Sequence, residues 1–247
     1  MRPGSLRVWV VAAALSWAPA GARAQELPPR PGIVIVVEGI GGFNVMGPVA
    51  KAALRQAGIA HEVREFTWSH GFGQFLKDLQ DTRYLLSKSE ELAAWIAKLR
   101  AADPDRPIFL VGHSAGTGII VRAAELSPPG SIDRLILLSS ALSPTYDLRS
   151  ALIATKKGIV SFHSPHDRVM LDWGTRQFGT VDRQYTRSAG LQGFQVPDTL
   201  SDADRILYSR LVQVPWQTRM ILQLNVGQHT GPCFPGFMMA EVAPWLR

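Results

Sequence analysis

Three separated stretches of the chain carry residue types that together can transfer an acyl group. The first is Gly112-His113-Ser114-Ala115-Gly116, directly after the apolar run 108–111 and directly before a helical segment. A serine on a sharp strand-to-helix turn has its hydroxyl presented as a nucleophile. Such a turn needs small residues two positions either side, because bulk there collides as the backbone doubles back. The second is Asp167, just past the strand-like run 158–163. A carboxylate there can accept a hydrogen bond from an imidazole and hold it in the productive tautomer. Asp147, Asp172 and Asp182 are the competing acids. The third is His229, in Gly227-Gln228-His229-Thr230-Gly231, where flanking glycines permit the close approach a general base requires. His61, His70, His113, His163 and His166 compete with it, but only His229 completes the order Ser, Asp, His along the chain.

A tetrahedral oxyanion also needs donors. The amide of Ala115, the residue after the serine, supplies one. The glycine-rich stretch Gly39-Ile40-Gly41-Gly42 can supply the second through the amide of Ile40. A glycine-rich strand–helix loop can instead hold a dinucleotide, but the third glycine of G-x-G-x-x-G would fall on Asn44, and no G-x-x-x-x-G-K-[ST] occurs.

These residues must be positioned by strands and helices, and the chain alternates between the two periods. Strand-like runs cover Ile33–Val37, 61–68, 108–111, 132–138 and 158–163, and 220–226 reads as the last strand. Helical patterns cover about 48–56, a long amphipathic stretch ending near Leu99, 115–126, 148–156 and 236–245. In the long stretch Leu92, Trp95, Ile96 and Leu99 share one face. Strands separated by helices predict an α/β fold: a mostly parallel sheet of about six strands with helices on both faces. Functional groups in such sheets gather at the carboxyl ends of the strands. The segment 171–217 lacks clean periodicity, holds Trp173, Phe178, Tyr185, Phe194 and Trp216, and reads as an excursion over the sheet's edge, serving either a functional loop or packing.

Composition narrows the class further. The chain has 247 residues, enough for one domain or at most two, and with 46% hydrophobic and 19% charged residues it is not intrinsically disordered. One cysteine, Cys233, excludes an intrachain disulfide framework and a cysteine-rich zinc module, and it reads as a small buried filler. Residues 1–24 carry Arg2 and Arg7, an apolar run 8–15 and Ala22-Arg23-Ala24, the order of a secretory signal, and are too short and interrupted for a membrane anchor. Cleavage after Ala24 leaves 223 residues, numbered 25–247, as one domain. It removes three of 26 basic residues and no acid, so the net charge falls from +6 to +3. The expected location is secreted or periplasmic. With no run of Lys and Arg interleaved with aromatics, nucleic-acid binding is not expected.

By its EGIGGF loop (residues 38–43) and GHSAG elbow (112–116), the sequence resembles the α/β-hydrolase superfamily, and within it the small bacterial lipases and esterases without a cap domain. The similarity runs through the order and spacing of motifs from about Gly32 to Arg247. It implies ester hydrolysis by acylation and deacylation of Ser114, with His229 as base and then acid, Asp167 as its orienting partner, and the amides of Ile40 and Ala115 as oxyanion hole. No metal or organic cofactor is implied. The implied partner is a small-molecule or lipid ester, with transient contact with a lipid surface in the lipid case. One residue departs from the pattern. Lipases of this type carry histidine before the first glycine, whereas this chain has Glu38, a carboxylate that would oppose an oxyanion unless paired or turned away. Other chemistry fits the same three residues, namely thioesterase, amidase or acyltransferase activity. A different class also remains, a non-catalytic hydrolase-fold binding protein of the cell envelope.

Overall fold

The computed structural model describes residues 30–247, so the reading of 1–24 as an export signal lies outside the described residues. Six strands form one sheet: β1 (Ile33–Val37), β2 (Glu62–Glu65), β3 (Ile108–His113), β4 (Arg134–Leu138), β5 (Ile159–His163) and β6 (Leu211–Pro215). Their order is β2-β1-β3-β4-β5-β6, and every neighbouring pair runs parallel. The chain therefore steps outward from β1 in one direction to β2 and in the other from β3 to β6. The crevice where that direction reverses lies between the carboxyl ends of β1 and β3.

Burial explains why β1 and β3 are almost continuous apolar runs. Each is covered on both faces, as parallel central strands are. Ile33, Ile35 and Val37 pack with Leu92 and Ile96 of α3 (Thr82–Ala102) and Ile119 and Ile120 of α4 (Gly116–Glu125). Val34 and Val36 face the other way, onto Met46, Ala50 and Leu54 of α1 (Met46–Gln56) and onto Phe237, Met238 and Val242 of the C-terminal helical stretch. A short helix, α2 (Phe75–Gln80), precedes α3 and packs its Phe75 ring against Gly41 in the loop after β1. The long helix is the amphipathic one anticipated, with Leu92 and Ile96 buried and Trp95 and Leu99 half-buried beside them.

The last strand is not where the apolar run 220–226 placed it. Residues Thr218–Gln223 form a 3-10 turn, closed by Leu224 in a left-handed conformation at φ +63°. Only Met220 of its apolar residues is buried, while Leu222 is 91% exposed. The sixth strand is β6, within the stretch read as an edge excursion. It is half-buried and, among the described residues, pairs only with β5. Its Gln213 side chain continues the pairing outward, accepting from Phe194 N (2.6 Å) and donating to Phe194 O (2.9 Å). The final helix is present as one mixed helical run, Pro235–Phe237, Met238–Val242 and Ala243–Leu246, with the hydrogen-bond spacing changing along it.

One contact ties the C-terminal loop to the sheet. His113, the last residue of β3, donates from Nε2 to the carbonyl of His229 at 2.8 Å. Burial, reinforced by His229 nearby, pushes its pKa down to about 3. An unfolded histidine takes up its proton near pH 6.5 whereas folded His113 does not, so stability falls as the pH drops below 6.5. His61 and His163, also lowered by burial, act in the same direction; Glu65, raised by burial and by Glu38, opposes them. Urea denaturation from pH 7 to pH 5 should show a loss from His113 approaching about 1.4 kcal/mol per pH unit. His113→Gln should be less stable at pH 7 and have a shallower pH dependence; an unchanged slope would rule out His113 as its source.

Candidate active site

Ser114 sits between β3 and α4 with φ +54°, a left-handed conformation that a non-glycine residue adopts only when its surroundings enforce it. The surroundings do so through two glycines. A Cβ on Gly116 would lie 2.3 Å from the Glu38 carbonyl and 2.4 Å from that of Val37, so the start of α4 can press against the end of β1 only without a side chain. A Cβ on Gly112 would meet the Gly116 carbonyl at 2.9 Å. The Ser114 amide is held by the Leu138 carbonyl (2.9 Å), which aligns the turn with β4.

Asp167 is buried in the loop after β5, and His229 is carried by the loop after the 3-10 turn. The two meet at 2.6 Å, His229 Nδ1 to Asp167 Oδ2. An ionised carboxylate only accepts, so the proton is on Nδ1 and Nε2 is left with its lone pair. Ser114 Oγ lies 2.9 Å from that Nε2 and donates to it. Residues from three remote stretches thus form one continuous chain of hydrogen bonds. The loop is braced by Asn225, whose buried Oδ1 accepts from Gly227 N at 2.9 Å. Gly227 is required there because a Cβ would lie 2.7 Å from Ser164 Oγ.

The competing residues have other partners. Asp147 pairs with Arg149, Asp172 with Arg176 and Arg187, and Asp182 with Ser143. His61 bridges Gly32 N and the Leu246 carbonyl, His70 lies between Asp78 and Asp81, and His166 lies edge-on to Trp216.

Ile40 and Ala115 line the same cavity as Ser114, and their amides have no protein acceptor among the described residues. The loop that carries Ile40 is fixed by a residue the sequence did not single out. Buried Asp78, on α2, accepts from Gly41 N (2.8 Å), Ser69 Oγ (2.6 Å), His70 N (2.8 Å) and His70 Nδ1 (2.9 Å). Burial alone would raise its pKa, and these donors hold it below the usual carboxylate value instead. Asp78 thereby pins the residue next to Ile40 to the loop after β2. Gly41, at φ +94°, lies flush against the Phe75 ring, 2.4 Å from where a Cβ would stand.

Glu38 is paired. Its Oε1 accepts from Val45 N (2.7 Å) and from Met46 N, the first amides of α1, where a carboxylate is favoured by unsatisfied donors and the helix dipole. Its backbone carbonyl takes the Trp68 Nε1 proton (2.7 Å). Cys233 is half-buried with its thiol pushed up to about 12 by burial and by Glu38, so it stays protonated. Among the described residues no group of three or more His, Cys, Asp or Glu side chains could hold a metal ion.

A family model described as the alpha/beta hydrolase fold matches residues 50–162, the segment that contains the serine turn. No curated protein matches the chain. Among solved structures, Est1E from Butyrivibrio proteoclasticus is 13% identical over 88% of this chain and 87% of its own, at a TM-score of 0.45. The Pyrococcus furiosus esterase Pf2001 is 11% identical over 88% and 83%, at 0.49. LpqC, a poly(3-hydroxybutyrate) depolymerase from Bordetella parapertussis, is 14% identical over 86% and 78%, at 0.47. The all-parallel sheet, the left-handed serine between β3 and α4, and the matched segment agree on the alpha/beta hydrolase fold.

Proposed function

We propose that the protein is a serine hydrolase of carboxylic esters. The observation that carries this reading is the unbroken path Ser114 Oγ–His229 Nε2 (2.9 Å) and His229 Nδ1–Asp167 Oδ2 (2.6 Å). As Ser114 Oγ bonds to the ester carbonyl carbon, its proton passes to His229 Nε2, and Asp167 stabilises the imidazolium. The carbonyl oxygen takes the negative charge and is met by the amides of Ile40 and Ala115. Collapse breaks the bond to the alcohol oxygen, which leaves with the proton from His229. A water molecule then repeats the sequence on the acyl-enzyme and returns Ser114 to its starting state. The carboxylate of Glu38 is held at the start of α1, where two amides and the helix dipole offset its charge. That weakens one of the two features favouring a non-catalytic binding protein, the other being the aromatic-rich segment 171–217.

Asp78 acts as a positioning residue, because it holds Gly41 and so aims the neighbouring Ile40 amide. For residues 1–24 we propose an export signal, which would place the mature chain, a single domain from 25 to 247, in the periplasm or outside the cell.

Purified protein should hydrolyse p-nitrophenyl esters and add a fluorophosphonate at Ser114, located by peptide mapping. Ser114→Ala should lose at least about a thousandfold in kcat; unchanged turnover in that variant would end the proposal. Asp78→Asn, which surrenders acceptors without changing size, should lower kcat about tenfold or more and move KM by less than about threefold, since only transition-state stabilisation is weakened. A kcat within twofold of the parent would remove Asp78 from the mechanism. Expressed from the full chain in an exporting host, the protein should be recovered outside the cytoplasm with Gln25 at its N-terminus; a cytoplasmic protein retaining Met1 would contradict export.

A further inference from the structure

Two separate cavities open onto Ser114, of about 430 and 470 Å³. Both are floored by Ser114 and divided by Ile40, Phe75 and Met170, which line each. The first runs under α2 and is walled by Leu79, Leu85, Ala141, Leu171 and Val181. The second runs toward the start of α1 and is walled by Val45, Val49, Cys233, Phe234 and Pro235. Each volume would hold on the order of ten methylene-sized groups at about 30 Å³ apiece.

The proposed chemistry decides which arm of an ester enters which cavity. Four groups surround the tetrahedral carbon: Ser114 Oγ, the oxyanion, the leaving oxygen and the acyl carbon. The leaving oxygen must be within reach of His229 Nε2, and His229 lines only the second cavity. The acyl carbon takes the remaining direction, into the first cavity, which also reaches Ser114 but is not lined by His229.

Charged groups in the walls are already occupied. The Asp78 carboxylate receives four donors, Arg183 donates to Thr82 Oγ1 and the Gln80 carbonyl, and Glu38 accepts from Val45 and Met46. The mouth is apolar as well. Phe43 and Phe72 meet edge to face at 5.5 Å, Phe75 lies 5.6 Å from Phe43, and all three are exposed beside exposed Leu76 and Val169. Such a surface favours a ligand that covers apolar area and neither offers nor demands a counter-charge.

Resting on the reading of Ser114 as the acylated nucleophile, we infer that the substrates are esters apolar on both sides of the carbonyl. The acyl chain lies in the cavity under α2 and an equally large hydrophobic alcohol lies in the cavity beside His229. Leu79 sets the acyl limit and Val49 the alcohol limit.

The test is a two-way series followed by acid release: octanoate esters of methanol, butanol and octanol, against octyl esters of acetate, butanoate and octanoate. Along both arms kcat/KM should rise, about two- to fourfold per added methylene before levelling. Leu79→Trp should cut the long-to-short acyl ratio at least tenfold with the alcohol ratio within twofold of the parent, and Val49→Trp should do the reverse. Leu79→Phe and Val49→Phe replace them if the tryptophan variants do not fold, as judged by fluorophosphonate labelling of Ser114. Rates independent of alcohol length, both ratios falling together in each variant, or the two variants exchanging effects would each overturn the inference while leaving a working ester hydrolase. Absence of both turnover and labelling in the parent would overturn the proposed function and this inference with it.

Discussion

Everything at the site depends on how closely two pieces of backbone approach. The start of α4 presses against the carbonyls of Val37 and Glu38 at the end of β1, and only the missing side chain of Gly116 allows it. That contact joins β1 and β3 at the crevice where the sheet order reverses, and it leaves Ser114 no conformation but the left-handed one. The strain of a serine at positive φ is of order 1–3 kcal/mol. It is offset by packing on both faces of β1 and β3, where every side chain of the central runs is buried. A rigid elbow of this kind sets one fixed point, and the other two members of the hydrogen-bond chain are brought to it by loops.

Those loops are held by buried polar contacts. His113 fastens the His229 carbonyl, Asn225 shapes the turn before it, and Asp78 fastens the loop after β1. Each contact takes place where a lone polar group would be costly to bury, and each group bonds a backbone amide or carbonyl of the segment it positions. Glu38 belongs to the same pattern. A carboxylate that looks hostile to an oxyanion in a linear reading is bound by the first amides of α1, seven and eight residues further on.

What could be read from the residues alone was what is decided locally. The elbow is legible because its glycine requirement lies within five residues, and β1 and β3 because burial on both faces leaves an unbroken apolar run. Strand β6 is not legible that way. It is an edge strand, half-buried and interrupted by Gln213, and the longer apolar run that follows, with Ile221 and Leu222 exposed, mimics a strand better than the strand does. Asp78 was missed for a different reason. Its partners Gly41, Ser69 and His70 come from the loops after β1 and β2, and no spacing in the chain announces that these loops meet. Ser114, Asp167 and His229 were legible as types and order, but their meeting is a property of the folded chain.

Helix α2 has one further consequence. In six residues it carries Phe75 on the partition between the cavities, Leu79 on one wall, and Asp78 on the anchor of the neighbouring loop. In the proposed ester hydrolase, breadth of specificity and speed are therefore inherited through the same few codons, so diversity drawn there would reshape what is accepted and disturb how fast it reacts in one stroke. The opposite wall, at Val49 and Phe234, carries no such double duty and is where an engineer, or a lineage, can retune selectivity independently.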